Sequence, residues 1–180
     1  MCRTKEQAEK RFKAWLGGDE SAVPPYLRRV VFGIVLGRED ASDEDYEAVV
    51  QAYETAKSAD GKEIALAALG DVKRPELVKK TIDLILSGKI PAQDIHGPCH
   101  SLATNPVTRN KWWETLSENW SLFYQRYSVN MVVVNRLLTL SLSRFSSKKK
   151  ADEISAFFKD KDCKGFDRGL GQVFPYILDV

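Results

Sequence analysis

Residues 63–87 read EIALAALGDVKRPELVKKTIDLILS, and this stretch decides the fold. Its first half is an alanine- and leucine-rich helix, Gly70-Asp71 supplies a turn, and Pro75 opens a second helix carrying Leu77, Val78, Ile82, Ile85 and Leu86. Small alanines let neighbouring helices approach closely. A two-helix unit of this size cannot bury its apolar faces alone, so further units must stack on it.

They follow on both sides. Towards the amino terminus, a helix from about Thr4 to Leu16 stops at Gly17-Gly18, where glycine can take the left-handed conformation that ends helices. Pro24-Pro25 opens a helix to about Gly37 that is apolar nearly all round, which predicts burial on most sides. Ser42 with Asp45 three residues on forms an imperfect capping box for a helix with the stripe Tyr46, Val49, Val50 and Tyr53. Towards the carboxyl terminus, Ala92–Thr104 pairs with Pro106–Tyr127 and Met131–Ser143 with Lys148–Lys159, before a last helix from Asp167 to Leu178. Trp113, Leu116, Trp120, Phe123 and Tyr127 recur at helical spacing and predict one face of a single long helix. A period of roughly 35 to 45 residues per helix pair is that of stacked two-helix repeats. No stretch alternates as strands and hairpins do. The expected fold is therefore all-α, a HEAT/armadillo-like right-handed superhelix of antiparallel helix pairs, as one domain over residues 1–180.

The chain has 180 residues, 43% of them apolar, enough for a continuous core. Its 27 basic and 25 acidic residues leave a net charge of +2, too little to argue for nucleic acid or an anionic membrane as partner. Cys2, Cys99 and Cys163 are widely spaced and form no CxxC pair, which suits a reducing compartment better than a disulfide framework. The polar start MCRTKEQAEK has no signal core, and the longest apolar run, Met131–Leu142, is interrupted by Asn135 and Arg136 and too short to span a bilayer.

Few residues suggest chemistry. His96 and His100 stand four apart, as in an H-E-x-x-H zinc helix, with Cys99 or Asp94 as a conceivable third ligand. The general-base glutamate is absent, however, and Gly97-Pro98 weakens the rigid helix such a site needs. No metal ligand or catalytic residue is assigned. Gly165, Gly169 and Gly171 do not follow a strand and make no phosphate cradle. Lys148–Lys150 reads as a solvated first helical turn, and Trp112, Trp113 and Trp120 as packing residues.

The stretches ENWSLFYQRY (118–127) and NRLLTLSLSRFSSKKKADEISAFF (135–158) carry a family likeness. Asp94, Asn119-Trp120, Arg126-Tyr127, Arg136-Leu137, Phe145 and Phe157-Phe158 resemble the C-terminal helical domain of the zinc aminopeptidases that include the puromycin-sensitive enzyme. In that family's zinc site a further glutamate ligand would fall at Asn119; Glu118 is one residue off, a rotation of about 100°. The family's H-E-x-x-H and G-x-M-E-N motifs are missing here.

The resemblance implies a non-catalytic piece of a cytoplasmic enzyme whose zinc sits in a catalytic domain of the same polypeptide. In the intact enzyme this piece would cover the active site and shape the peptide-substrate cavity. Trp113, Trp120, Phe123, Tyr127, Phe145, Phe157 and Phe158 would be scaffold. Arg136 is the one position the likeness marks as substrate-facing, because an arginine in the corresponding helix of related enzymes can point into the cavity near the substrate; amid Val134, Leu137 and Leu138 it needs a carboxylate or carbonyl partner. An inter-repeat salt bridge would satisfy it equally. The apolar stripe Leu170, Val173, Phe174, Ile177 and Leu178, interrupted by Pro175, has no later segment to cover it and suggests a fragment. The rival expectation is a free-standing HEAT-type scaffold for a protein or peptide partner; a third is a small metal-dependent hydrolase using His96 and His100.

Overall fold

The computed structural model of the chain describes residues 2–178, with side chains over 3–173. It contains eleven α-helices and no strand among the described residues. They are α1 (Cys2–Leu16), α2 (Pro25–Leu36), α3 (Asp43–Thr55), α4 (Ala59–Leu69), α5 (Pro75–Ser87), α6 (His96–Thr104), α7 (Arg109–Glu118), α8 (Trp120–Tyr127), α9 (Met131–Leu142), α10 (Lys148–Phe158) and α11 (Asp167–Leu178). A short 3₁₀ turn at Glu20–Ala22 joins the first two. No described helix is long and apolar enough to cross a membrane.

The helices form two layers. Helices α2, α4, α6, α9 and α11 pack side by side in one row, each against the next. Helices α1, α3, α7, α8 and α10 lie across that row, each against at least one member of it. The tightest cross-layer partner of α4 is α3 rather than α5, so the 63–87 unit is continuous in sequence but its first helix packs back on the preceding one.

Local chemistry explains the boundaries. Ser42 and Asp45 exchange both bonds of a full capping box, Asp45 N–H to Ser42 Oγ at 3.0 Å and Ser42 N–H to Asp45 Oδ2 at 3.1 Å. Gly18 ends the α1 segment at φ 98°, and Gly88 closes α5 in the left-handed region at φ 76°. The Arg126 guanidinium covers Gly88 and donates to Leu86 O at 3.1 Å, tying α8 to the end of α5.

Three expectations need correction. The long helix through 113–127 is two helices, because Asn119 leaves helical geometry at φ −105°, ψ 19° while its side-chain amide donates back to Thr115 O at 2.9 Å. The five apolar residues still share one buried face across the break. Helix α2 is not buried all round: Val31, Phe32, Val35 and Leu36 are, but Tyr26 and Val30 are 81% and 54% exposed, since only two helices pack on it closely. In α11, Leu170 and Val173 are buried within the chain, where α9 and α10 cover the helix. Phe174, Pro175, Ile177 and Leu178 lie outside the described side chains.

The scaffold aromatics fall into two ring groups, one of Trp113, Trp120, Phe157 and Phe158 and one holding Phe123 and Tyr127, with Phe145 apart from both. Trp113 meets Phe157 edge-on at 5.4 Å and donates its Nε1–H to Glu153 Oε1 at 2.5 Å. Trp120 stands perpendicular to Phe158 at 5.2 Å and also meets Phe166, which sequence reading passed over. Phe123 meets Trp112 edge-on, and Tyr127 is buried beside Phe123. Phe145 is buried with the cations of Arg109 and Lys150 over its ring. Ring contacts of Trp113 and Trp120 with Phe157 and Phe158 tie α7 and α8 to α10.

Candidate functional site

Arg136 projects from α9 into a cavity of about 170 Å³ that it shares with Ala92, Gln93 and His96 from the start of α6, and with Val132 and Val133. The local fold accounts for this. Asn130 accepts from Val132 N–H at 3.1 Å and starts α9. Val134, Leu137 and Leu138 then turn inward to the core, leaving Arg136 on the outward side. No carboxylate or carbonyl among the described residues pairs with it, so the alternative of an inter-repeat salt bridge is not realised.

His96 is the neighbour that sequence reasoning did not connect with Arg136. Forty residues separate them, and only the packing of α6 on α9 brings them together. Burial, reinforced by the Arg136 charge, pushes the His96 imidazole below its ordinary 6.5, against smaller opposing pulls from Glu63 and Asp94. Its Nε2 is buried without a hydrogen-bond partner. An arginine with no ion pair beside an imidazole kept neutral suits a ligand that carries negative charge or carbonyl oxygens.

The sign of the His96 shift gives a stability prediction. A folded-state value below the unfolded one means that the unfolded chain binds the proton first. Stability is therefore expected to decline as the pH falls below about 6.5, and His96→Gln should flatten that decline. Thermal melts of both proteins from neutral pH to about pH 5 measure it; parallel curves would show that His96 is not the titrating group.

His96 and His100 do not make a metal centre. Among the described residues no group of three His, Cys, Asp or Glu side chains is placed to hold an ion. Cys99, between them, is fully buried, and burial pushes its thiol well above the ordinary value. The residues present thus do not fit a zinc ion. Gly165, Gly169 and Gly171 belong to the turn before α11 and to α11 itself; Gly169 faces Asn135 and Thr139 of α9 as a packing contact. Lys150 pairs with Glu153 at 2.7 Å within α10.

A second polar assembly is structural. Arg109 donates to Ala103 O at 2.8 Å and to Arg144 O at 2.7 Å, joining the end of α6 to the segment after α9. Asn105 donates to Val72 O at 2.9 Å, and Asp71 pairs with Arg29 of α2, so α2 is tied to the carboxyl ends of α4 and α6.

Comparison with known proteins gives the family. The profile of the ERAP1-like C-terminal domain family matches residues 2–175. The chain is 32% identical to Saccharomyces cerevisiae "Aminopeptidase 2, mitochondrial" over 92% of its own length and 17% of that protein's. It is 31% identical to the yeast "Alanine/arginine aminopeptidase", over 94% of this chain and 20% of the relative. Human "Endoplasmic reticulum aminopeptidase 2" is 24% identical over 89% of the chain and 16% of its own length. The chain thus spans a fifth or less of the relatives it matches. A profile covering nearly every described residue, on an all-helical two-layer stack, places this chain in the ERAP1-like C-terminal domain family.

Proposed function

We propose that this chain is the non-catalytic C-terminal domain part of a zinc-dependent aminopeptidase. It forms a single HEAT/armadillo-like right-handed superhelical domain over residues 1–180 that covers the active site and shapes the cavity admitting peptide substrate. The observation that carries this reading is the family match over residues 2–175, to enzymes of which the chain spans only a small share. Its partner is the catalytic domain of the same polypeptide, which holds the zinc. Its own contribution is confinement, keeping the distal part of a peptide in place while the amino terminus reacts elsewhere. A cytoplasmic setting is supported by the free thiols of Cys99 and Cys163.

Arg136 is the residue proposed to face substrate, through peptide carbonyls or a carboxylate. In the complete enzyme, Arg136→Ala is expected to raise KM for longer peptides about tenfold, the loss of one charge-assisted hydrogen bond. A single-residue fluorogenic substrate should be turned over unchanged. Equal effects on short and long substrates, or none on either, would remove Arg136 from the peptide path.

A further inference from the structure

The fold holds a second opening, unrelated to Arg136. Residues of α5 and of α7 line it together, although these two helices are not among the closely packed pairs. Between them lies a groove of about 330 Å³. Val78 and Ile82 form its floor with Thr115, and Val107 stands 61% exposed at its edge. An apolar side chain so placed is normal when solitary, but here it adjoins a continuous apolar surface.

The charges lining the groove are all of one sign. Lys73, Lys79 and Lys111 border it, and no carboxylate does. Lys79 reaches Asp83 at 2.6 Å and Lys111 reaches Glu114 at 3.2 Å, each pair within one helix and more than half exposed. Such pairs are weak and yield readily to a better-placed anion. Lys73 makes no ion pair among the described residues. Pro75 and Thr108 also line the groove, so both helices begin there, and neither has a side-chain cap.

We propose that the α5–α7 groove docks an acidic amphipathic helix of a second protein, with apolar side chains on Val78, Ile82 and Val107 and carboxylates on Lys73, Lys79 and Lys111. A groove between two helices that accepts the apolar face of a third is an established mode of recognition. The positive border selects an acidic helix over a basic one and speeds its arrival.

The test is fluorescence anisotropy of the chain against a labelled peptide of about five helical turns, leucine on one face and glutamate on the other. A matched peptide with lysine for glutamate is the control. Saturable, salt-sensitive binding of the acidic peptide alone is expected. The triple reversal K73E/K79E/K111E should weaken it about tenfold, the sum of three exposed pairs, and Val107→Glu should weaken it by a similar factor. Circular dichroism melts of these surface variants confirm that they fold, and Arg136→Ala should bind like the wild type. Equal binding of both peptides, no binding, or an unaltered triple variant would overturn the proposal. So would sedimentation showing a dimer that Val107→Glu dissociates, which would make a second copy of the chain the occupant.

Discussion

Trp112→Ala is expected to destabilise the chain by about 4 kcal/mol, the usual cost of truncating a large buried aromatic. For a protein of this size that lowers Tm by about 10 °C. Trp112 is fully buried, meets Phe123 edge-on at 5.9 Å, and donates its indole N–H to Ser141 Oγ of α9 at 3.0 Å. Truncation therefore leaves a cavity between the layers and strands the Ser141 hydroxyl, which is itself buried. Trp112→Phe keeps most of the volume and should cost less than half as much. Chemical denaturation of the two variants separates the volume loss from the lost bond. A change under 1 kcal/mol for the alanine variant would mean that α7 and α9 are not packed as described.

Gly70→Val is expected to cost about 3 kcal/mol by the opposite mechanism, overpacking. Gly70 ends α4 with ordinary helical dihedrals, φ −83° and ψ −6°, so its need is for space. A Cβ there would lie 2.5 Å from Ser101 Cβ and 2.6 Å from Pro98 O, both on α6. The carbonyl cannot rotate away, so α6 must shift as a body and pull on the Asn105 bond that ties it to Val72. Gly171, with nothing within 4 Å of a Cβ, is the control: Gly171→Ala should be neutral or stabilising by about 0.5 kcal/mol. Equal effects at the two positions in thermal melts would contradict the close approach of α4 and α6.

Much of the architecture was legible because it is local. The Gly70-Asp71 turn, Pro75 and the Ser42–Asp45 box act within a few residues, and the helices fall where those signals put them. The failures were non-local. The 113–127 stripe places Trp113 on its face and leaves Trp112 off it, since adjacent helical residues point about 100° apart. Helix α7 lies between elements on more than one side, so both tryptophans are buried, Trp113 against α10 and Trp112 against α9. Burial of Leu170 and Val173 likewise depends on α9 and α10 arriving from elsewhere in the chain.

The site was legible in one half only. Arg136 stood out as a charge in an apolar helix, and the structure places it at a cavity without an ion pair. His96 was read for its spacing to His100, a feature of one helix, whereas its neighbour across the layer is Arg136. Nothing in a single sequence sets that distance. The α5–α7 groove was invisible for the same reason, its lysines being spread over residues 73–111 with ordinary spacing.

The proposed role puts the zinc and the reacting atoms outside this chain, in a site that the chain would shape and cover. Aminopeptidase activity and zinc content, measured on the purified chain and on its reading frame extended to include an H-E-x-x-H segment, test it most directly. Neither zinc nor activity is expected in the chain alone, and both are expected in the extended polypeptide. Stoichiometric zinc in the chain alone, with peptide hydrolysis lost on chelation, would contradict it.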